Sequence, residues 1–150
     1  MGIDYMHAGM RVKFEVPGEP RAKGRPRFSN GHAYTPENTV EYENWVRLCF
    51  YEQCGSVRFP SDSALGMNVT AYYSIPSSVS QKKRLKMMSH EIRPTKKPDS
   101  SNVLKSIEDS LNQSIYHDDK QIVETKISRF YGEEPKVVVE IYEVGYEDPG

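Results

Sequence analysis

Four aspartates crowd around a central lysine in one stretch of the chain, KPDSSNVLKSIEDSLNQSIYHDDKQI, residues 97–122. Asp99 follows a proline, Asp109 comes ten residues later, Asp118 and Asp119 are adjacent, and Lys105 lies among them. Grouped carboxylates suit a hard cation. Mg²⁺ keeps several waters, accepts phosphate oxygens and needs few protein ligands. Beside a phosphodiester such an ion orients an attacking water and neutralises charge. The pattern therefore points to phosphodiester hydrolysis, with Asp99, Asp118 and Asp119 as candidate ligands. Lys105 is placed to meet the phosphate or orient the water. A structural account stays open beside this one: an aspartate at a helix start is a cap, and His-Asp-Asp is a turn. Other metal chemistry fits less well. The stretch lacks the alternating oxygen ligands and central glycine of a calcium loop. His117 has no partner at zinc spacing, and two cysteines five apart supply none. His117 reads as a turn residue or phosphate contact, and Asp109 as bonded within its own surroundings.

Charge is segregated along the chain although the net charge is only −1. Pro20 to Pro36 carries Arg21, Lys23, Arg25 and Arg27 and no acid. Gln81 to Pro98 carries Lys82, Lys83, Arg84, Lys86, Arg93, Lys96 and Lys97 against Glu91 alone. From Gly132 onward acids dominate. Each basic run by itself also serves to solvate a surface. Together they predict a basic face flanking the acids, which nucleic acid requires because bare carboxylates repel it. The alternating basic residues 21–27 would track phosphates. Phe28 and Tyr34 either stack on bases or pack beneath the loop. A nucleotide hydrolase would want a glycine-rich phosphate cradle, and KGRPRFSNG has neither that spacing nor a strand-to-helix position.

These residues need elements to hold them. Val12, Phe14 and Val16 alternate in a first strand that Pro17-Gly18 stops. A loop follows, with a small hairpin turning at Asn30-Gly31. Thr35 and Pro36 open a helix whose stripe is Tyr42, Trp45, Val46 and Cys49, and Gly55 ends it. GMNVTAYYSI is a second strand and SVSQKKRLKMMSH a short helix with a basic face. A further helix runs from Ser100 or Ser101 to about Asn112, burying Leu104, Ile107 and Leu111. Asn102, Lys105, Asp109 and Asn112 share another of its faces. KQIVETKISRFYG and KVVVEIYEV are two strands across a glycine-containing turn, which reads as a hairpin. The order β-α-β-α-α-β-β predicts a single α+β domain of 150 residues, a mixed sheet covered by helices. Residues 1–9 read as a flexible leader without the features of a signal peptide. Cys49 and Cys54 are set to point apart, which suits a reduced, cytoplasmic context. No apolar run reaches the length of a membrane span.

KPDSSNVLKSIEDSLN…IYHDDKQI closely resembles the RusA family of Holliday junction resolvases. That family shows Asp-x-Asp-Asn-x-x-Lys-x-x-x-Asp-x-Leu, then Asp-Asp before a strand. Asp99, Asn102, Lys105, Asp109 and Leu111 match the first part, and Asp118 and Asp119 the second. PRAKGRPRFSNGHAYTP is similar to the basic loop of the phage and Gram-positive branch, so the likeness covers nearly everything after Met10. The resemblance implies a RusA-like fold and a homodimeric, Mg²⁺-dependent endonuclease, with Mn²⁺ able to substitute. It implies nicking of two opposed strands of a four-way DNA junction, in recombination and repair. Its acids correspond to Asp99, position 101, Asp118 and Asp119, and its lysine to Lys105.

Position 101 departs from the family, which has aspartate where this chain has Ser101. A neutral hydroxyl is a weaker ligand for a hard cation. The alternative expectation is a junction-binding protein that cuts weakly or not at all. Serine at a helix start also serves as a cap.

Overall fold

Apolar residues alternate in the strands and recur at helical spacing in the helices, and both stripes meet in one core. The computed structural model describes residues 2–4, 9–24, 27–29, 31–34 and 37–144, with the backbone alone for residues 4, 27–29 and 32–34. Strand β1 is Gly2–Asp4 and β2 is Arg11–Pro17. β3, Arg27–Ser29, and β4, His32–Tyr34, pair as the small hairpin expected at residues 30–31. Helix α1 is Glu37–Cys54, β5 is Leu65–Ser74 and α2 is Gln81–Met88. α3 is Ser100–Leu111, β6 is Ile122–Gly132 and β7 is Lys136–Glu143. The chain is thus α+β with a mixed sheet and helices packed on it, as the sequence predicts. β1 lies within the segment read as a leader and pairs antiparallel with β2, Gly2 facing Lys13.

Five strands form one sheet in the order β1-β2-β7-β5-β6. β5 runs antiparallel to β7 and parallel to β6. Parallel neighbours need a crossover, and the chain makes it through α2 and α3. Three buried rows cross the sheet: Val12–Ile141–Met67, Phe14–Val139–Val69 and Val16–Val137–Ala71. Val46 and Phe50 of α1 and Val103, Ile107 and Leu111 of α3 are buried in the same cluster, with Phe14 and Phe50 edge to face at 5.5 Å. Trp45 stays at the rim, its indole Nε1 donating to Pro17 O. Gly55, at φ 76°, closes α1 with its N–H on Tyr51 O. Cys49 and Cys54 are free and buried. No described helix is long and apolar enough to cross a membrane.

One expectation fails. β6 and β7 are not a hairpin, because β5 lies between them. Two strand spacings come to about 9.5 Å, which the three residues Glu133–Pro135 span at roughly 3.3 Å each. A short turn therefore reverses the chain without making its flanks neighbours. β5 takes the central place because its alternate residues Met67, Val69, Ala71 and Tyr73 are all fully buried, whereas β6 is largely exposed from Val123 to Lys126.

Gly66 lets β5 approach β7. A Cβ there would overlap the Tyr142 ring, whose hydroxyl donates to Glu124 Oε1 and whose face carries Arg11 at 4.7 Å. Gly66→Ala is expected to cost about 1–3 kcal/mol by displacing that ring. Urea unfolding checks this, and the cost should largely vanish in a Tyr142→Ala background.

Candidate nucleic-acid cleavage site

Asp99 caps α3. Its Oδ1 accepts from the backbone N–H of Asn102 at 3.0 Å and from Ser101 Oγ at 3.2 Å. The cap satisfies a helix N–H that has no partner within the helix. The residue before it is fixed from the sheet. Pro98 O accepts from the Tyr73 hydroxyl at 2.6 Å and from Arg129 Nη1 at 3.0 Å, and the same Nη1 donates to Lys96 O. The Lys97–Pro98 peptide bond is cis. Asp99 thereby stands at a cleft of about 610 Å³, whose polar lining includes Arg21, Asn38, Thr39, Tyr42, Lys97 and Asn102. The Tyr42 hydroxyl is buried without a hydrogen-bond partner among the described residues. Burial holds its pKa well above the usual phenol value, with Arg21 pulling the other way.

Asp118 and Asp119 sit on a 3-10 turn, Asp119–Gln121, that leads into β6. Gln121 is the hub of this turn. Its Oε1 accepts from the N–H groups of His117 and Asp118, and its Nε2 donates to Pro60 O and Ser63 O. Asp118 Oδ1 accepts from Lys120 N at 2.9 Å, and Asp118 and Gln121 form a capping box across the turn. That backbone N–H depresses the Asp118 pKa, and Asp119, Lys120 and His117 act in the same direction. Asp119 N donates to Asn112 Oδ1 at the far end of α3. Nearby, burial pushes the Glu108 carboxyl above its usual value. Lys105 opposes this, while Asp119 and Asp109 add to it.

Lys105 and Asp109 belong to the helix between these two groups. Asp109 is an ionic sink: Lys23 Nζ lies 2.6 Å from Oδ2 and Lys105 Nζ lies 3.4 Å from Oδ1. The Lys23–Asp109 contact is a close ion pair. It pins the basic loop to α3, and Gly24 N adds a bond to Thr39 Oγ1. Lys105 keeps its side chain 55% exposed.

The structure brings Asp118 and Asp119 together, and Asp99 together with Ser101. It does not bring the two groups to one point. Twelve residues of helix, roughly 18 Å, separate Asp99 from the Asn112 side chain that holds Asp119. Carboxylates sharing one Mg²⁺ each approach it to about 2.0–2.1 Å, and no three described acids, histidines or cysteines are so grouped. Within one chain the acids therefore do not fit a three-carboxylate Mg²⁺ cage.

The basic residues fall in two places. Arg21 is exposed at the cleft, while Lys23 is occupied by Asp109. Lys82, Lys83 and Lys86 of α2 line one hollow with Ser80 and Ile92, and Arg84 is half-buried. Lys96 and Lys97 are exposed on the approach to Asp99. Arg25, the side chains of Arg27, Phe28 and Tyr34, and the helix start at Thr35 and Pro36 lie outside the described residues. Sequence reasoning missed Gln121, Glu108, Tyr42, Tyr73 and Arg129. Gln121 was findable, since Asp118-x-x-Gln121 is a capping-box spacing. Arg129 and Tyr73 lie within strand patterns and carry no local signal.

The endodeoxyribonuclease RusA family profile matches residues 17–142, a span that includes the basic loop, Asp99, Lys105 and the Asp118–Asp119 turn. The chain is also similar to the uncharacterized protein YqaN of Bacillus subtilis (strain 168), 42% identical over 142 residues, covering 89% of this chain and 96% of that one. With its mixed sheet, its capped α3 and this match over most of its length, the chain belongs to the RusA endodeoxyribonuclease family.

Proposed function

We propose that the chain binds four-way DNA junctions as a homodimer and cuts opposed strands by phosphodiester hydrolysis with Mg²⁺, Mn²⁺ substituting, in cytoplasmic recombination and repair. The observation that carries this reading is Asp99, fixed by the sheet at a cleft that also holds Arg21 and Lys97. A carboxylate beside exposed cations can meet a phosphate backbone without repelling it. A dimer presents two such clefts, matching the near two-fold symmetry of the junction.

Divalent metal would supply charge neutralisation and an activated water in this family. One chain offers it either Asp99 or the Asp118–Asp119 pair. The roles of the chain's own residues are simpler. Arg21, Lys97 and the α2 lysines attract and align the backbone through shape and charge rather than sequence. Lys105 lies on the α3 face between the two acidic groups and reaches solvent, where its charge can meet a phosphate. Gln121 and Asn112 keep the Asp118–Asp119 turn rigid.

One contact favours the second reading, binding with little or no cutting. Ser101 Oγ donates to Asp99 Oδ1, so the serine adds no charge and also occupies an oxygen of the neighbouring carboxylate. Ser101→Asp is expected to raise nicking of a synthetic four-way junction at limiting Mg²⁺ by about tenfold or more, with a smaller gain in Mn²⁺. Equal rates for both forms would remove position 101 from the metal site.

Lys105→Ala separates chemistry from binding. Cutting in the Ser101→Asp form should fall by about a hundredfold or more. Junction affinity should hardly change, because one charge is a small share of many phosphate contacts. Gel-shift and nicking titrations read the two effects. Parallel loss of both would assign Lys105 to the DNA platform instead.

A further inference from the structure

β6 is an edge strand whose two halves differ. Along its C-terminal half the chain preceding α3 covers the edge. Arg93 Nε donates to Arg129 O at 2.6 Å, the Arg93 guanidinium lies 3.9 Å from the Phe130 ring centre, and Lys96 Nζ lies 5.8 Å from that of Tyr131. Among the described residues the N-terminal half has no such cover. β6 pairs with β5 alone, Val123 is 60% exposed, and Glu124, Thr125 and Lys126 are exposed as well. An uncovered strand edge is a template for another strand.

The exposed residues read Val123-Glu124-Thr125-Lys126-Ile127, and this pentapeptide is complementary to its own reverse. We propose that the free half of β6 pairs antiparallel with β6 of a second copy, about a two-fold axis through Thr125. Glu124 of each copy then faces Lys126 of the other, Val123 faces Ile127, and Thr125 faces itself. Opposite charges, apolar pairs and threonine pairs are the favourable cross-strand neighbours. Charge also selects the register. An axis through Glu124 sets glutamate against glutamate, and one through Lys126 sets lysine against lysine. The Arg129 carbonyl points to the open edge, so the alternation turns Ile127 and Thr125 outward too, ready for ladder bonds. The ends match as well. With the axis at Thr125, Ile122, where β6 begins, meets Ser128, next to the covered residues of the other copy. Leu65 and Gly66 of β5 face Ile122 and Glu124, so Val123 is the extra residue of a bulge and the regular part of the free edge begins at Glu124. Two five-stranded sheets thereby become one continuous sheet.

This surface gives the homodimer of the proposed function its interface, yet it rests on β6 and not on the nuclease chemistry. The test uses the full chain. Cys49 and Cys54 are buried, so a cysteine introduced at the edge is the reactive one. Directly opposed, hydrogen-bonded residues in an antiparallel pair have Cα atoms about 5.5 Å apart, within disulfide reach. Thr125→Cys should give a covalent dimer on mild oxidation, and Glu124→Cys, whose copies do not face each other, should not. In sedimentation at micromolar concentration the unmodified chain should be dimeric. Glu124→Lys should weaken the dimer by about tenfold or more through like-charge contact with Lys126. Glu124→Lys with Lys126→Glu should restore it. A monomeric parent overturns the proposal. So does a dimer that neither cross-links at position 125 nor responds to the single reversal. Junction nicking by the same preparation reads the functional proposal separately, since a nicking chain that fails the cross-link loses only this interface.

Discussion

The carbonyl of Pro98 is where the fold and the candidate site meet. It accepts the Tyr73 hydroxyl from the central strand β5 and the Arg129 guanidinium from the edge strand β6. A hydrogen bond from a charged donor contributes about 1.5–3 kcal/mol, and here two donors converge on one acceptor. The residue that follows, Asp99, inherits that fixed position. Its carboxylate then starts α3 by capping Asn102 N, and α3 carries Lys105, Glu108 and Asp109. Both donors sit on strands held in register by the parallel β5–β6 pairing. The sheet topology is thus what aims the first acid.

Charge placement follows a consistent logic around that anchor. Asp109 is largely enclosed, with Oδ2 buried, and takes up Lys23 and Lys105, so it organises cations. Asp99 and Asp118 are instead each held at Oδ1 by a backbone N–H at the protein surface, and Asp99 also by Ser101. The exposed cations flank Asp99, Arg21 from the loop and Lys96 and Lys97 from the segment that precedes α3. A polyanion would be drawn to that end of α3 first.

Local patterns were legible in the sequence. The apolar stripe of α3, the stop at Gly55, the hairpin at residues 30–31 and the helix start beside Asp99 all rest on short-range rules of capping, turns and periodicity. Long-range choices were not. Nothing near Gly132 signals that β5 inserts between β6 and β7, because strand order is decided by which strand can bury a whole face. The hold of Arg129 on Pro98 likewise joins residues thirty-one apart in sequence. The acids were recognised as a set from their types and spacing, yet spacing along a chain does not report the length of α3 lying between them. Position 101 was legible in a different way: the missing carboxylate showed against the family pattern, and the structure added the bond from Ser101 to Asp99.

The central claim is that this arrangement recognises branched DNA by shape and charge. The most direct measurement is an equilibrium competition between a synthetic four-way junction and a linear duplex of the same sequence arms, at moderate salt and in Ca²⁺ to hold off cleavage. The account predicts that the junction displaces the duplex, with affinity falling steeply as salt rises because many phosphate contacts release counterions. Equal affinity for junction and duplex would contradict it.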